Sequence, residues 1–431
     1  MSVPLTKERL YYRCPTPQIL MAAEIEGKFS EDALKTAVKK AVSRHELLSC
    51  KVVEEAGNVV FAKNDAPREP EIRFETEPFC WNAAVSAEEG RIFRYEEGEL
   101  VRFRVYPAEN GAVLLCSANH MVGDGLSFVY LFRDILTALG NPAAALSPAP
   151  LHLCDPKELT RRVKLPFSIR MMASGVERQW KKNGKQFTFA DYEKLYTSYW
   201  SKRETAVLDA VFEPEETAAL ADWCHENGVT VNTALAAAFL LAAEESSVGV
   251  AVSVREKGYE GLGNFATGVS VDYFPSVDTG FDERTRELHA LLHKKYDDPQ
   301  SMLFLMKFMD ALSPSLIDGA YFNAFGGYEN PVAQRAAIMF GFRGTSKGVN
   351  LTNLTKLPIP AAYGACTLKS LSFVPPLVPG SQRLVGAATL NGRMCVTMHY
   401  DQKEEESMRE CFSRAIGSLK RQAAGLAKDA E

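Results

Sequence analysis

Residues 112–118 (AVLLCSA) are apolar almost without a break, and the run stops at the turn Asn119-His120-Met121-Val122-Gly123-Asp124-Gly125. A strand of that composition belongs in the centre of a sheet, since it has no polar side to offer water. Residues 101–106 read as its hairpin partner. Beyond the turn, Leu126, Val129, Phe132, Ile135, Leu136 and Leu139 recur with helical spacing. A central strand, a tight turn and an amphipathic helix therefore follow one another without a spare residue, and the remaining chain must build a sheet around them.

The patterning on either side supplies the pieces. Residues 19–25 suit a strand, and Ser30 caps a helix that runs to about Arg44, with Ala33, Leu34, Ala37, Val38, Ala41 and Val42 on its apolar stripe. Short strands are predicted at 51–53 and 58–62. A Pro- and Ala-rich stretch at 141–150 is a candidate domain boundary. Later come a strand at 205–212 and a helix opened by Glu213-Pro214-Glu215-Glu216 and closed by Gly228. Thr230 caps a helix at 231–244 whose alanine and leucine content marks it as buried. Strands follow at 248–254 and 266–273, then helices at 282–295 and 302–312. Four more strands, at 349–353, 367–373, 383–390 and 393–399, lead to a final amphipathic helix. The class is α+β, with antiparallel or mixed sheets covered by helices. The 431 residues exceed one ordinary core, so two domains of roughly 200 residues each are expected.

A hydrophobic content of 46% and a charged content of 24% are ordinary globular values. The net charge of −5 argues against a nucleic-acid partner, which would need a basic surface. One segment departs from that balance. Residues 161–185 hold Arg161, Arg162, Lys164, Arg170, Arg178, Lys181, Lys182 and Lys185 against a single acid, Glu177. It is either a solvated crossover with an apolar underside or a contact for an anionic group, a coenzyme phosphate or a membrane surface. Residues 1–17 lack the layout of a secretory signal, and no apolar run is long enough to span a bilayer, so a cytoplasmic location is expected. Nine scattered cysteines with no CxxC pair read as small core residues.

His120 is the side chain in the turn that can hold or release a proton near neutral pH. Asp124, between a buried strand and a buried helix, needs a cationic or hydrogen-bonding partner. The other histidines carry less. His289 and His293 are spaced i, i+4, but no third ligand accompanies them, and an exposed helix face is the plainer reading; no metal is expected. His45 closes a helix, where the dipole favours it, and His399 is read as a packing residue in a strand.

With its surroundings, the turn resembles the HxxxDG motif of the chloramphenicol-acetyltransferase-like, condensation-domain superfamily. Arg44-His45-Glu46-Leu47-Leu48 is similar to the ending of that family's first long helix, and Leu100-Val101-Arg102-Phe103 to the strand before its catalytic turn. Gly228-Val229-Thr230-Val231-Asn232, Val254-Arg255 with Leu262-Gly263-Asn264-Phe265, and Thr352-Asn353-Leu354 follow in the family's order, from about residue 34 to 400. There are departures. Asn119 replaces the first histidine of HHxxxDG, Thr355 replaces the glycine of SNLG, and no DFGWG segment is present, which separates the chain from the plant branch.

The resemblance implies two acetyltransferase-like αβ subdomains, 1–160 and 201–431, joined by a crossover at 161–200 and arranged as a V-shaped pseudo-dimer with a tunnel between them. His120 would be the general base of an acyl transfer, and Asp124 would pair with Arg255 across the subdomains. Gly125 would let the chain turn without a Cβ in the channel, and the oxyanion donors would be Thr352, Asn353 and amides near Gly125. The donor would be acyl-CoA, the acceptor a small-molecule hydroxyl or amine, and the protein a monomer without a bound cofactor. Two alternatives stand beside this: a donor carried on a carrier protein, and a non-catalytic relative that binds a lipid or partner.

Overall fold

The computed structural model describes residues 2–55, 58–275, 279–342, 348–381 and 383–425. Two six-stranded mixed sheets and one small three-stranded sheet carry the architecture. In the first large sheet the order is Ala362–Tyr363, Cys366–Val374, Gln18–Glu26, Gly111–Asn119, Val101–Ala108, Glu71–Phe74. All its pairs are antiparallel except the last. The apolar strand Gly111–Asn119 is central, hydrogen-bonded on both sides. The second large sheet runs Ala266–Asp272, Ser247–Ser253, Val349–Lys356, Arg383–Leu390, Arg393–Asp401, Thr205–Phe212. Its two inner pairings, of Val349–Lys356 with each neighbour, are parallel.

The helices cover these sheets as their stripes require. Ser30 caps Glu31–Arg44 by accepting from the Ala33 N–H, and that helix packs beside Gly125–Gly140 over the first sheet. Phe128, Leu131, Phe132, Ile135 and Leu136 are fully buried there, each contributing about 1.5–3 kcal/mol of transfer free energy before entropy is counted. Over the second sheet lies Val231–Ala242, buried on every side from Thr233 to Leu240, with Pro214–Glu226 and Glu405–Ala423 against it. Gly228, at φ +66°, supplies the left-handed residue that ends Pro214–Glu226.

Four helices carry no clear sequence signal: Trp81–Glu89, Phe189–Trp200, Pro314–Ala324 and Pro331–Met339. The single helix predicted at 302–312 is two short ones, Pro299–Met302 and Phe304–Asp310, broken at Leu303. The strand Cys366–Val374, placed by sequence within the 201–431 unit, crosses to pair with Gln18–Glu26, so the first sheet is completed by the far half of the chain. All nine cysteines are free and eight are buried. Among the described residues, no helix is long and apolar enough to cross a membrane.

Two histidines do more than their sequence reading assigns them. His45 caps the end of Glu31–Arg44 as read, but it is also buried, its Nε2 lying 3.0 Å from the Asp134 carboxylate, and burial lowers its pKa, so it serves a core contact as well. His399 does more than pack. It is fully buried, with Nδ1 donating to the Pro375 carbonyl at 3.0 Å and Nε2 3.2 Å from Glu89, at the end of a helix of the other half. Burial opposes charge on this ring, but Glu89 outweighs it and the pKa is raised above 6.5.

His399 therefore binds its proton more tightly in the folded chain than in the unfolded one. The stability it contributes is full below about pH 6.5 and is lost as the pH rises through the folded value. His399→Gln is expected to lower unfolding free energy by about 3 kcal/mol under acid conditions. The gap from wild type should narrow as the pH rises above about 6.5 in urea titrations.

Candidate active site

The turn after Gly111–Asn119 is held by its own polar groups. Asn119, fully buried, accepts the Met121 N–H on Oδ1 at 2.8 Å and donates from Nδ2 to the Tyr95 hydroxyl at 2.5 Å. The amide is fully used in shaping the turn. The His120 N–H donates to the Pro17 carbonyl at 2.7 Å.

His120 Nδ1 lies 2.9 Å from the Gly123 carbonyl oxygen. A carbonyl can only accept, so Nδ1 carries the proton and Nε2 holds the lone pair. The Asn264 amide nitrogen is also 3.1 Å from Nδ1, but it has an acceptor in the His120 carbonyl at 2.9 Å. Its orientation is fixed from the other end. Asn264 Oδ1 accepts from Lys7 Nζ at 2.7 Å and from the Ala266 N–H at 3.2 Å. Lys7 is itself buried and donates further to the Asn264 and Ala266 carbonyls. Tyr11 places its ring 4.4 Å from the imidazole, centroid to centroid.

These neighbours set the proton affinity of the base. Burial is the largest cause lowering the His120 pKa, from 6.5 to about 4, and the Lys7 charge lowers it further against the opposing Gly123 bond and Asp124. The imidazole is neutral at pH 7. Lys7, Tyr11 and His120 line a cavity of about 1400 Å³ whose opposite wall includes Gly249, Asn350 and Thr352 of the second sheet.

Asp124 points away from the imidazole and into the joint between the halves. Oδ1 accepts from Arg255 Nη2 at 2.7 Å and from the Ser127 N–H and hydroxyl at 2.9 and 3.0 Å; Oδ2 accepts the Phe265 N–H at 3.0 Å. Arg255 donates in turn to the Gly261 carbonyl at 2.9 Å and lies over the Phe265 ring. Both charged side chains are at least nine-tenths buried.

The remaining sequence candidates fall in different places. Thr352 lines the cavity. Asn353 does not, and its Oδ1 accepts the Thr355 N–H at 2.8 Å, where Thr355 takes φ +57° in place of glycine. Gly125 is also outside the lining; a Cβ there would sit 2.6 Å from the end of the Leu354 side chain, which packs against it. His289 faces Thr233 at 3.1 Å, and among the described residues no group of three or more His, Cys, Asp or Glu side chains could hold a metal ion. Lys7 and Tyr11 carried no sequence signal, standing more than a hundred residues from the turn they touch. Asn264 lay within a recognised motif, with no role attached.

Comparison with known proteins places this geometry. Residues 19–141 match the family model described as Condensation domain. No curated protein matches the sequence. Solved structures do match. The cyclization-docking bidomain of EpoB from Sorangium cellulosum aligns with a TM-score of 0.63 at 15% identity, over 98% of this chain and 85% of that one. The first condensation domain of the CDA synthetase gives 0.64 at 12%, over 99% and 97%. Polyketide synthase associated protein 5 from Mycobacterium tuberculosis gives 0.63 at 14%, over 99% and 100%. At these identities the likeness is one of fold, and it extends over nearly the whole chain.

Two outcomes are expected. Arg255→Ala leaves a buried carboxylate without its cation and lowers unfolding free energy by about 3–5 kcal/mol in denaturant titration. In ring-resolved NMR, His120 stays neutral down to about pH 4, and Lys7→Met moves its midpoint upward by removing a neighbouring positive charge.

Proposed function

We propose that this chain, built on the condensation-domain fold, moves an acyl group from a pantetheine thioester to a hydroxyl or amine, with His120 as the general base. The observation that carries the reading is the His120 tautomer. Nδ1–H is committed to the Gly123 carbonyl, which leaves the lone pair on Nε2 of a ring that borders the cavity.

In the proposed reaction Nε2 takes the proton of the acceptor O–H or N–H as the acceptor attacks the thioester carbonyl. The carbonyl π pair moves onto oxygen. When the tetrahedral intermediate collapses, the C–S bond breaks and the departing thiolate takes the proton back from Nε2. The Gly123 carbonyl steadies the transient imidazolium through Nδ1–H. Thr352, on the facing wall, and the Gly125 amide at the helix start are the proposed donors to the oxyanion. Asn353, engaged with Thr355, is the weaker candidate. Asp124 and Arg255 hold the turn and touch no reacting atom. No bound cofactor is required by these steps.

Free acyl-CoA is the proposed donor. A carrier-protein thioester presents the same pantetheine arm, and the synthetase origin of the EpoB and CDA neighbours favours testing it alongside. Acyl-CoAs and acyl-carrier proteins, each with pooled alcohols and amines, are incubated with the chain, and thiol release is read by mass spectrometry. Acceptor-dependent release is expected, falling at least about a hundredfold in His120→Ala. Release from carrier alone would replace the CoA version. Release from neither donor, or release unchanged in His120→Ala, would overturn the reading.

A further inference from the structure

Eight large apolar residues are exposed among the described residues, and six of them stand on four short segments: Leu159, Phe167, Met171, Met172, Leu305 and Ile338. Those segments touch one another. Phe167–Asn183 packs on Pro331–Met339, Pro156–Leu159 packs on Phe304–Asp310, and Gln300 ties to the backbone of Arg162 and Lys164. Leu305 and Ile338 also line the rim of the large cavity, together with Lys157 and Lys164. Two of the six apolar residues thus border the cavity, and the other four stand on segments packed against or next to theirs in the chain.

The helix Phe167–Asn183 shows how unusual the face is. Ala173, Val176 and Trp180 fill the core side, which accounts for the apolar underside expected of this segment. On the opposite side, where a solvated helix carries polar residues, Phe167 and Met171 are 68% and 60% exposed. They share that side with Arg178 and Lys182, and Arg170 lies over the Phe167 ring at 5.6 Å. Neither Phe167 nor Met171 lines the cavity, so no concave surface shapes them to a single partner side chain.

Charge favours one occupant. Residues 157–185 carry nine Lys and Arg against Glu158 and Glu177, an excess of seven positive charges on a chain of net −5. Lys181 and Lys185 have acidic partners, in Glu177 and Asp191; among the described residues no ion pair holds Lys157, Arg161, Arg162, Lys164, Arg170, Arg178 or Lys182. Asp155 and Asp310 are the other acids of these segments. Protruding apolar side chains on segments rich in cations without an acidic partner among the described residues match the interfacial layer of an anionic bilayer, with apolar groups entering among the acyl chains and cations meeting the headgroups.

We propose that this face docks on an anionic lipid membrane and sets the mouth of the cavity against the bilayer. On the acyl-transfer reading, an amphiphilic acceptor then passes from the bilayer into the cavity without crossing water; the docking itself does not rest on that reading. Flotation of the full chain with vesicles tests it, using phosphatidylcholine alone and phosphatidylcholine with about 30 mol% phosphatidylglycerol. The chain is expected to float with the anionic vesicles only, and less so as salt rises. A Phe167→Ser, Met171→Ser double variant and an Arg161→Glu, Arg162→Glu, Lys164→Glu triple variant are each expected to lose at least about tenfold in partitioning. Phe274→Ser, at an exposed residue outside the four segments, is expected to lose nothing. All substituted residues are exposed, and unchanged melting temperatures verify the fold. Equal flotation with both vesicle types, or partitioning unmoved by both variants, would overturn the proposal. So would capture of an acidic carrier protein by the intact face with no vesicle binding.

Discussion

Asp124 presents two carboxylate oxygens to four donors, two from its own helix and two from the second half of the chain. The order of the site follows from that arrangement. By binding Arg255 and the Phe265 N–H, the carboxylate draws the 255–265 loop onto the turn, where the Gly263 carbonyl accepts the Asp124 N–H. Asn264, between Gly263 and Phe265, is then in place to meet the His120 carbonyl and to take its own orientation from Lys7. Asp124 thus governs the imidazole through a loop that comes from the other side of the molecule. A charge buried this deeply persists because every lone pair in use has a partner.

The same imidazole chemistry is driven in opposite directions at two sites. His120 and His399 are both surrounded by protein, and burial works against charge at each. At His399 the Glu89 carboxylate outweighs burial and the proton affinity rises; at His120 burial, aided by the Lys7 charge, outweighs the Gly123 carbonyl and Asp124, and the affinity falls. The direction of each shift is set by whether a neighbouring charge exceeds the cost of burial.

That distinction also marks how far the sequence could be read. The central strand, the Ser30 and Thr230 caps, the Gly228 stop and the helix after the turn were legible because each depends on neighbours a few residues away. His120, Asp124 and Arg255 were legible through their motifs. Lys7 and Tyr11 were not, because a lysine and a tyrosine in a polar N-terminal segment look like surface residues until the fold carries them beneath the turn. His399 read as packing because its partner, Glu89, is some three hundred residues away. The helices Pro314–Ala324 and Pro331–Met339 were missed for a different reason. They are short; the first is buried on every side from Leu316 to Asn323 and the second exposes Ile338, so the amphipathic contrast that reveals a helix is weak in both.

The crossing strand Cys366–Val374 has a bearing on how the chain is made. Gln18–Glu26 is among the first strands to leave the ribosome, and one of its edges is paired by Gly111–Asn119 soon afterwards. Its other edge waits for a segment synthesised about 340 residues later. At roughly 5–20 residues per second, that interval is about 20–70 s. For that time a strand of nine residues, six of them apolar, shows an open row of amide and carbonyl groups to the cell. Nascent chains held in this half-built sheet are natural clients for a chaperone, and two of them side by side would offer each other the edge each is missing.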